Sequence, residues 1–485
     1  MMKLFFLHRL RRYRLVGLLI VSVGFSNVGT AKQVLRFEST AADMTPVVRA
    51  ALEAVTDRDV KLVFAAGSYR FLPDYAVDRY CTITNHGNGL KKVIFPLAGF
   101  ASIEIEGNGA EFIFHGLTSP FQFEQCEEVK VSNLSIDWDI PFIFQGDVLA
   151  VNQDEGWYDL QPATEGFSWE IKQDQLKFPN VDGFSFSHPG SALTFDKRHK
   201  RVSHGALDFE SSPRWVEKRQ GGVLRFHEPL KRWPEVGTVL TFKGDRAQDR
   251  YAPAFKVTAS RNVTFTNVVV HHALGMGFLF ERTADITISG GGVYLPEGSP
   301  RMISSTADAT HFANCKGDIL IENARIENML DDGTNVHGTY VEVDGVVDAK
   351  TVRVGLKHFE QSGFEFAAAG DEVWFIHQPN PSRGAVNEVV AVKRLNEQFT
   401  ELTFRDALPT QIAVGDVLEN KTWNPRFTMR GCAISNHRAR NIVLKTPLPT
   451  VIEDNDFSSM MSSIFFRGET FFWFESGAVV DVLIR

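Results

Sequence analysis

Residues 262–292 read NVTFTNVVVHHALGMGFLFERTADITISGGG. The stretch opens and nearly closes on one six-residue phrase: polar, apolar, any, apolar, polar, then Asn or Gly. Alternation of this kind buries one face of a strand. The final Asn or Gly tolerates the left-handed backbone that a coil corner requires. The phrase recurs as SIEIEG (102–107), EVKVSN (128–133), DILIEN (318–323) and, more weakly, TVIEDN (450–455). Start-to-start intervals (102 to 128, 262 to 285, 285 to 318) are 26, 23 and 33 residues. Intervals of that size mark solenoid coils. The chain therefore reads as all-β: a right-handed parallel β-helix, with Asn133, Asn267, Asn323 and Asn455 stacked along one corner. A β-sandwich with chance repetition is the competing architecture.

Composition agrees. Forty Phe and 38 Gly suit pleated surfaces and tight turns rather than helices. A formal net charge of −8 argues against nucleic acid as a partner. The cysteines, Cys81, Cys126, Cys315 and Cys432, are scattered without a CxxC, so zinc is not expected. Cys126 and Cys315 read as small core residues.

The N-terminus has the pattern of a signal peptide over 1–31: a basic run from Lys3 to Arg14, the apolar LVGLLIVSVGF (15–25), and small residues at 29–31. Cleavage would leave a secreted or periplasmic chain with no membrane contact. An uncleaved anchor is the rival, weakened by the shortness of the apolar run. Residues 32–142 then form an N-terminal cap and first coils. They include an amphipathic helix at 44–57, placed to cover the open end of the solenoid. The phrase lapses over 143–250 and 340–430, where "G-D-x-[LV]" strands suggest two inserted β-barrel-like modules. Central coils occupy 251–339 and C-terminal coils 431–485. The last residues, VVDVLIR (479–485), begin another strand phrase, which reads as an incomplete solenoid.

Counting from the corners places the chemistry. Asp331 and Asp332 fall eight and nine residues after Asn323, and Asp308 falls ten before Asp318. This puts Asp308 and the Asp331–Asp332 pair in one column on neighbouring coils, about 4.8 Å apart. Carboxyls so close cannot all ionise comfortably, which is costly for structure and useful for catalysis. Taken alone, Asp331-Asp332-Gly333 is ordinary turn chemistry. His311, Asn335 and His337 lie near enough to bind substrate. Glu475, in WFESG (473–477), sits beside aromatics and is the first choice for a general acid with a raised pKa. Glu365, in HFEQSGFEF (358–366), is the second, although a surface strand is the simpler reading there. Trp473 and Trp138 offer sugar-stacking faces, and Arg438 and Arg440 offer hydroxyl grips. No HxH or HExxH accompanies the acids, so neither a metal nor another cofactor is expected.

SIDWDIPF, DATHF, NMLDDGTNVHG, the "H-x-x-Q-x-G" phrase with its AAGD, NHRARNI and WFESG, in this order, resemble glycoside hydrolase family 110, the bacterial α-1,3-galactosidases. The resemblance runs from about residue 40 to the end. It implies a β-helix with two barrel insertions. It also implies metal-independent, inverting release of terminal α-1,3-linked galactose from a glycan. On that footing the aspartate cluster would deprotonate a water, and Glu475 would protonate the leaving group. A polysaccharide lyase, with calcium on the aspartates, and a non-catalytic carbohydrate-binding solenoid are the alternatives. A homodimer is left open.

Overall fold

The computed structural model describes residues 32–164, 166–206, 208–244 and 249–485. The signal-peptide reading of 1–31 lies outside them. No helix among the described residues is long and apolar enough to cross a membrane.

The fold is a right-handed parallel β-helix with two β-barrel insertions. One long sheet stacks Asp59–Phe64, Ser102–Phe114, Val129–Trp138, Arg261–Val270, Ala284–Val293, Lys316–Glu322, Pro425–Arg430 and Thr450–Glu453, each parallel to the next. A second stacks Ser119–Glu124, Phe255–Thr258, Phe278–Glu281, Thr310–Ala313, Thr334–Val346 and Ile442–Leu444. In-register stacking brings like residues together. Phe95, Phe121, Phe255 and Phe278 form a column of rings with centroids 4.3, 4.8 and 5.1 Å apart. Each such buried side chain contributes about 1.5–3 kcal/mol. All four cysteines are free and buried. The helix is shorter than its sequence pattern, Thr45–Glu53, and buries Val48 against the first coils.

The corner ladder differs from the sequence reading in two ways. Asn133, Asn267 and Asn323 do adopt left-handed backbone (φ 56°, 52° and 53°), and Asn267 Nδ2 donates to Asn133 Oδ1 at 3.3 Å. Gly290 and Gly431 are corners too, because a Cβ there would lie 2.5 and 2.7 Å from the amide oxygens of Asn267 and Asn323. Asn and Gly therefore interleave: one coil's amide fills the space a neighbouring side chain would need. Asn455 is not a corner. Asp454 carries the left-handed φ (54°), and Asn455 instead accepts a hydrogen bond from Cys432 N at 2.8 Å.

The rung after Asp318–Asn323 was hidden inside the segment read as the second insert. Asp318 pairs with Arg426 and Glu322 with Arg430, so Pro425–Arg430 already belongs to the solenoid. Nor does the second module begin where the solenoid stops. Thr334–Val346 starts as a rung beside Thr310–Ala313 and ends as a barrel strand. It closes a six-strand barrel with Thr351–Gly355, Phe399–Phe404, Val386–Arg394, Glu372–Ile376 and Val417–Asn420. The first module is an antiparallel eight-stranded sheet built around Phe144–Asn152. Trp138 does not reach a groove. It is 4% exposed, its Nε1 donates to Gly116 O at 3.1 Å, and it packs on Phe114 and Phe142 beneath this module.

The coils approach closely at Gly292, where φ is +124° and an added Cβ would lie 2.0 Å from Arg325 O. Gly292→Ala is expected to cost roughly 1–3 kcal/mol from backbone strain alone, with the clash added. Gly370→Ala, at φ +91° with nothing within 4 Å, escapes the clash. Equal losses of thermal midpoint in the two variants would show that the coils have room to spare.

Candidate active site

Asp308 and Asp332 are level on successive coils. Thr310 pairs with Thr334, and Ala309 N donates to Asp332 O at 3.0 Å. The same register levels Asp308 with Met276, through Phe278 and Thr310, and Asp332 with Arg440, through Thr334 and Ile442. Asp331 precedes Asp332 at a bend rather than in a strand, so both carboxyls reach the same side. One oxygen from each of the three lies within 4.8 Å of the others. Gly333 is not a left-handed turn residue. It is required because a Cβ would lie 2.7 Å from Asn441 O on the next coil.

The three aspartates line a hollow of about 270 Å³ with Asn85, Arg250, Asn335, Arg440, Lys445, Trp473 and Glu475. Phe465, Phe471 and Phe472 form its apolar rim. Asp331 is the most open of the acids, with 24% of its side chain exposed against 6% and 7% for Asp308 and Asp332. Arg250 Nη2 donates to Asp331 Oδ2 at 2.6 Å. Arg440 donates its backbone N–H to Asp332 Oδ1 at 3.0 Å and sets its guanidinium 3.3 Å from the same oxygen.

These surroundings separate the acids. Burial, then the charge of Asp331, raises Asp308 well above the ordinary carboxyl range. Burial, then Asp331 and Asp308, does the same to Asp332. Burial pushes Asp331 upward too, but Arg250, helped by Arg438, Lys243 and Arg440, outweighs it and holds Asp331 below its usual value.

Glu475 is not the acid its sequence suggested. Its aromatic neighbours in the chain do not surround its carboxyl. Instead Lys445 Nζ donates to Oε2, and Asn85 and Asn335 each donate to Oε1 at 3.4 Å. Burial opposes ionisation, yet the ammonium of Lys445 holds the group well below the ordinary range. It is a fixed carboxylate.

Other expectations need the same correction. His311 and His337 are buried behind the pocket wall and cannot touch substrate directly. Arg438 turns away from the hollow, and its Nε donates to Asp208 at 2.6 Å. Glu365 lines a different hollow, with Lys256, Glu281 and Arg394. Asn335, Arg440 and Trp473 do line the pocket. Arg250, Lys445 and Asn85 were not singled out from the sequence. Each is one polar residue in an unremarkable segment, and only the fold delivers it.

Two groups have metal-ligand spacing: Asp308 with Asp331 and Asp332, and His311 with His337 and Glu475. Arg250, Arg440 and Lys445 already face Asp331, Asp332 and Glu475 as counter-charges, so neither group is assigned as a metal site.

Two family models match, GLAA-B beta-barrel domain I over residues 144–240 and GLAA-B beta-barrel domain II over 351–418. The chain is 33% identical to an alpha-1,3-galactosidase A of Shewanella woodyi, over 87% of this chain and 69% of that one. It is 32% identical to an alpha-1,3-galactosidase B of Bacteroides fragilis (91% and 76%) and 30% identical to one of Akkermansia muciniphila (91% and 55%). Among solved structures, the A-module of the mannuronan C-5 epimerase AlgE4 of Azotobacter vinelandii aligns over 91% of each chain, with 10% identity and a TM-score of 0.25.

The Glu475–Lys445 pair is testable by a double-mutant cycle. Lys445→Met strands a buried carboxylate and is expected to cost about 3–5 kcal/mol. Adding Glu475→Gln removes the stranded charge and should recover most of that loss in a denaturant titration. Additive losses would mean that the two groups do not compensate each other.

Proposed function

The chain belongs to glycoside hydrolase family 110, the bacterial α-1,3-galactosidases, and from that premise we propose that it is a secreted, exo-acting enzyme. It releases terminal α-1,3-linked galactose from a glycan, with inversion at the anomeric carbon. The observation that carries this reading is the pocket: three converging carboxyls with separated proton affinities, beside a sugar-sized hollow with an aromatic rim. Acids of unequal affinity are what glycoside hydrolysis needs, one to give a proton and one to take one. The basic and apolar runs within residues 1–31, which have the pattern of a signal peptide, support export.

With Glu475 fixed as a carboxylate, both functions fall to the aspartate cluster. Inverting enzymes usually hold their two carboxyl groups about 6.5–9.5 Å apart, leaving room for water. Here one oxygen from each of the three acids lies within 4.8 Å of the others, a tighter grouping than that range. Asn335 and Arg440 are placed to bind hydroxyls, and Trp473 and Phe472 to pack against a ring face.

Three outcomes test the reading. Purified protein given α-1,3-, α-1,4- and α-1,6-linked galactobioses should hydrolyse the first, and proton NMR should detect β-galactose before mutarotation. Initial α-galactose would mean retention, and binding without turnover would leave a carbohydrate-binding solenoid. Asp308→Asn, Asp331→Asn and Asp332→Asn should each lower kcat about 10²–10⁴-fold on the disaccharide. A lost general acid is spared on an aryl galactoside with a good leaving group. Glu475→Gln is expected to lose activity equally on both substrates; selective recovery on the aryl substrate would reinstate it as the acid.

A further inference from the structure

Behind the pocket wall, side chains from two neighbouring coils stand in single file. Asp308 Oδ2 lies 2.7 Å from His311 Nδ1. His311 Nε2 lies 2.8 Å from His337 Nε2. His337 Nδ1 lies 2.6 Å from the carbonyl oxygen of Gly338. Both rings are buried.

A carbonyl oxygen only accepts, so His337 Nδ1 must carry a hydrogen. A neutral imidazole has one N–H, which leaves His337 Nε2 as a bare acceptor. The contact between the two rings then needs its hydrogen on His311 Nε2. That leaves His311 Nδ1 bare, and its contact with Asp308 can be a hydrogen bond only if the carboxyl supplies the O–H. We infer that Asp308 is a neutral carboxylic acid in the resting protein, and that His337, acting through His311, places that proton. Neither histidine touches the pocket, so both are positioning residues.

The neutral form of both rings follows from burial, which lowers His311 to about 4 and His337 to about 3. Charge balance points the same way. The cluster's Asp308, Asp331 and Asp332 face two guanidiniums, Arg250 and Arg440, so a single proton brings it to neutrality. Two competing arrangements ionise Asp308. The proton can stop on His311, making an imidazolium that burial opposes, or pass through the file to His337, making an imidazolium 3.6 Å from Glu475 Oε1. Glu475 already has the ammonium of Lys445 and two amide donors, so it does not call for a second cation. The other charged groups acting on the rings are Arg250 and Glu281, and Glu281 is itself paired with Lys256 at 3.2 Å. His86, buried beside Met276, is held neutral by burial.

The proton's position does not depend on the glycosidase reading; its kinetic consequence does. The experiment therefore has two arms on the full chain. In the first, wild-type protein labelled with ¹⁵N-histidine is examined at pH 7 by multiple-bond NMR, with resonances assigned from His311→Asn and His337→Gln. The expected result is a hydrogen on Nδ1 of His337 and on Nε2 of His311. Infrared difference spectra against Asp308→Asn should also lose the carbonyl stretch of a neutral carboxylic acid. A hydrogen on His311 Nδ1, two hydrogens on His337, or no such stretch overturns the inference. In the second arm, His337→Gln should shift the alkaline limb of the kcat/KM profile to lower pH by about one unit, a roughly tenfold loss on that limb, with KM unchanged. An unshifted limb overturns the role of His337. A wild-type protein without glycosidase activity would refute the proposed function, while the spectra would still decide where the proton sits.

Discussion

The in-register parallel hydrogen-bond ladder between coils is the constraint on which everything else depends. Residue 309 bonds to residue 332 because 310 and 334 are rung partners, and that one pairing sets Asp308 above Asp332. A slip of one residue would turn the whole rung inside out. The Phe column and the interleaved Asn and Gly corners hold the register by filling space that no other alignment fills equally well.

Register also creates the difficulty that the rest of the molecule resolves. It forces buried carboxyls together, where each unpaired charge is expensive. The relief comes from segments far apart in the chain. Arg250 arrives from the end of the first insertion, Arg440 and Lys445 from the coil that follows the second, and Asn85 from the N-terminal segment. The insertions are thus more than ornaments on the solenoid. One returns the chain so that a guanidinium meets Asp331, and the other grows out of the strand that carries Asn335 and His337.

Much of the architecture was legible because strand chemistry is local. The six-residue phrase, the corner Asn residues and the spacing from Asp308 to Asp331 and Asp332 all follow from the two-residue period of a strand and the backbone tolerance of Asn and Gly. Legibility failed where the solenoid and an insertion abut. RFTMRG (426–431) carries the whole phrase, with Gly as its corner, but it follows directly on a barrel strand and so reads as part of the second insertion. Trp138 failed for a related reason: alternation says that a side chain faces one side of a strand, not whether another module covers that side.

The chain's own pattern determined the fold class, the two interruptions and the identity of the clustered acids, because each is written in residues near one another in sequence. Only the folded molecule decided what those acids are. The same carboxyl is a fixed anion at Glu475 and a proton-holding acid at Asp308 because one meets an ammonium and the other meets an imidazole file behind the wall. Proton affinity is set by burial and by the nearest opposite charge, and both are supplied here by residues that no local period connects.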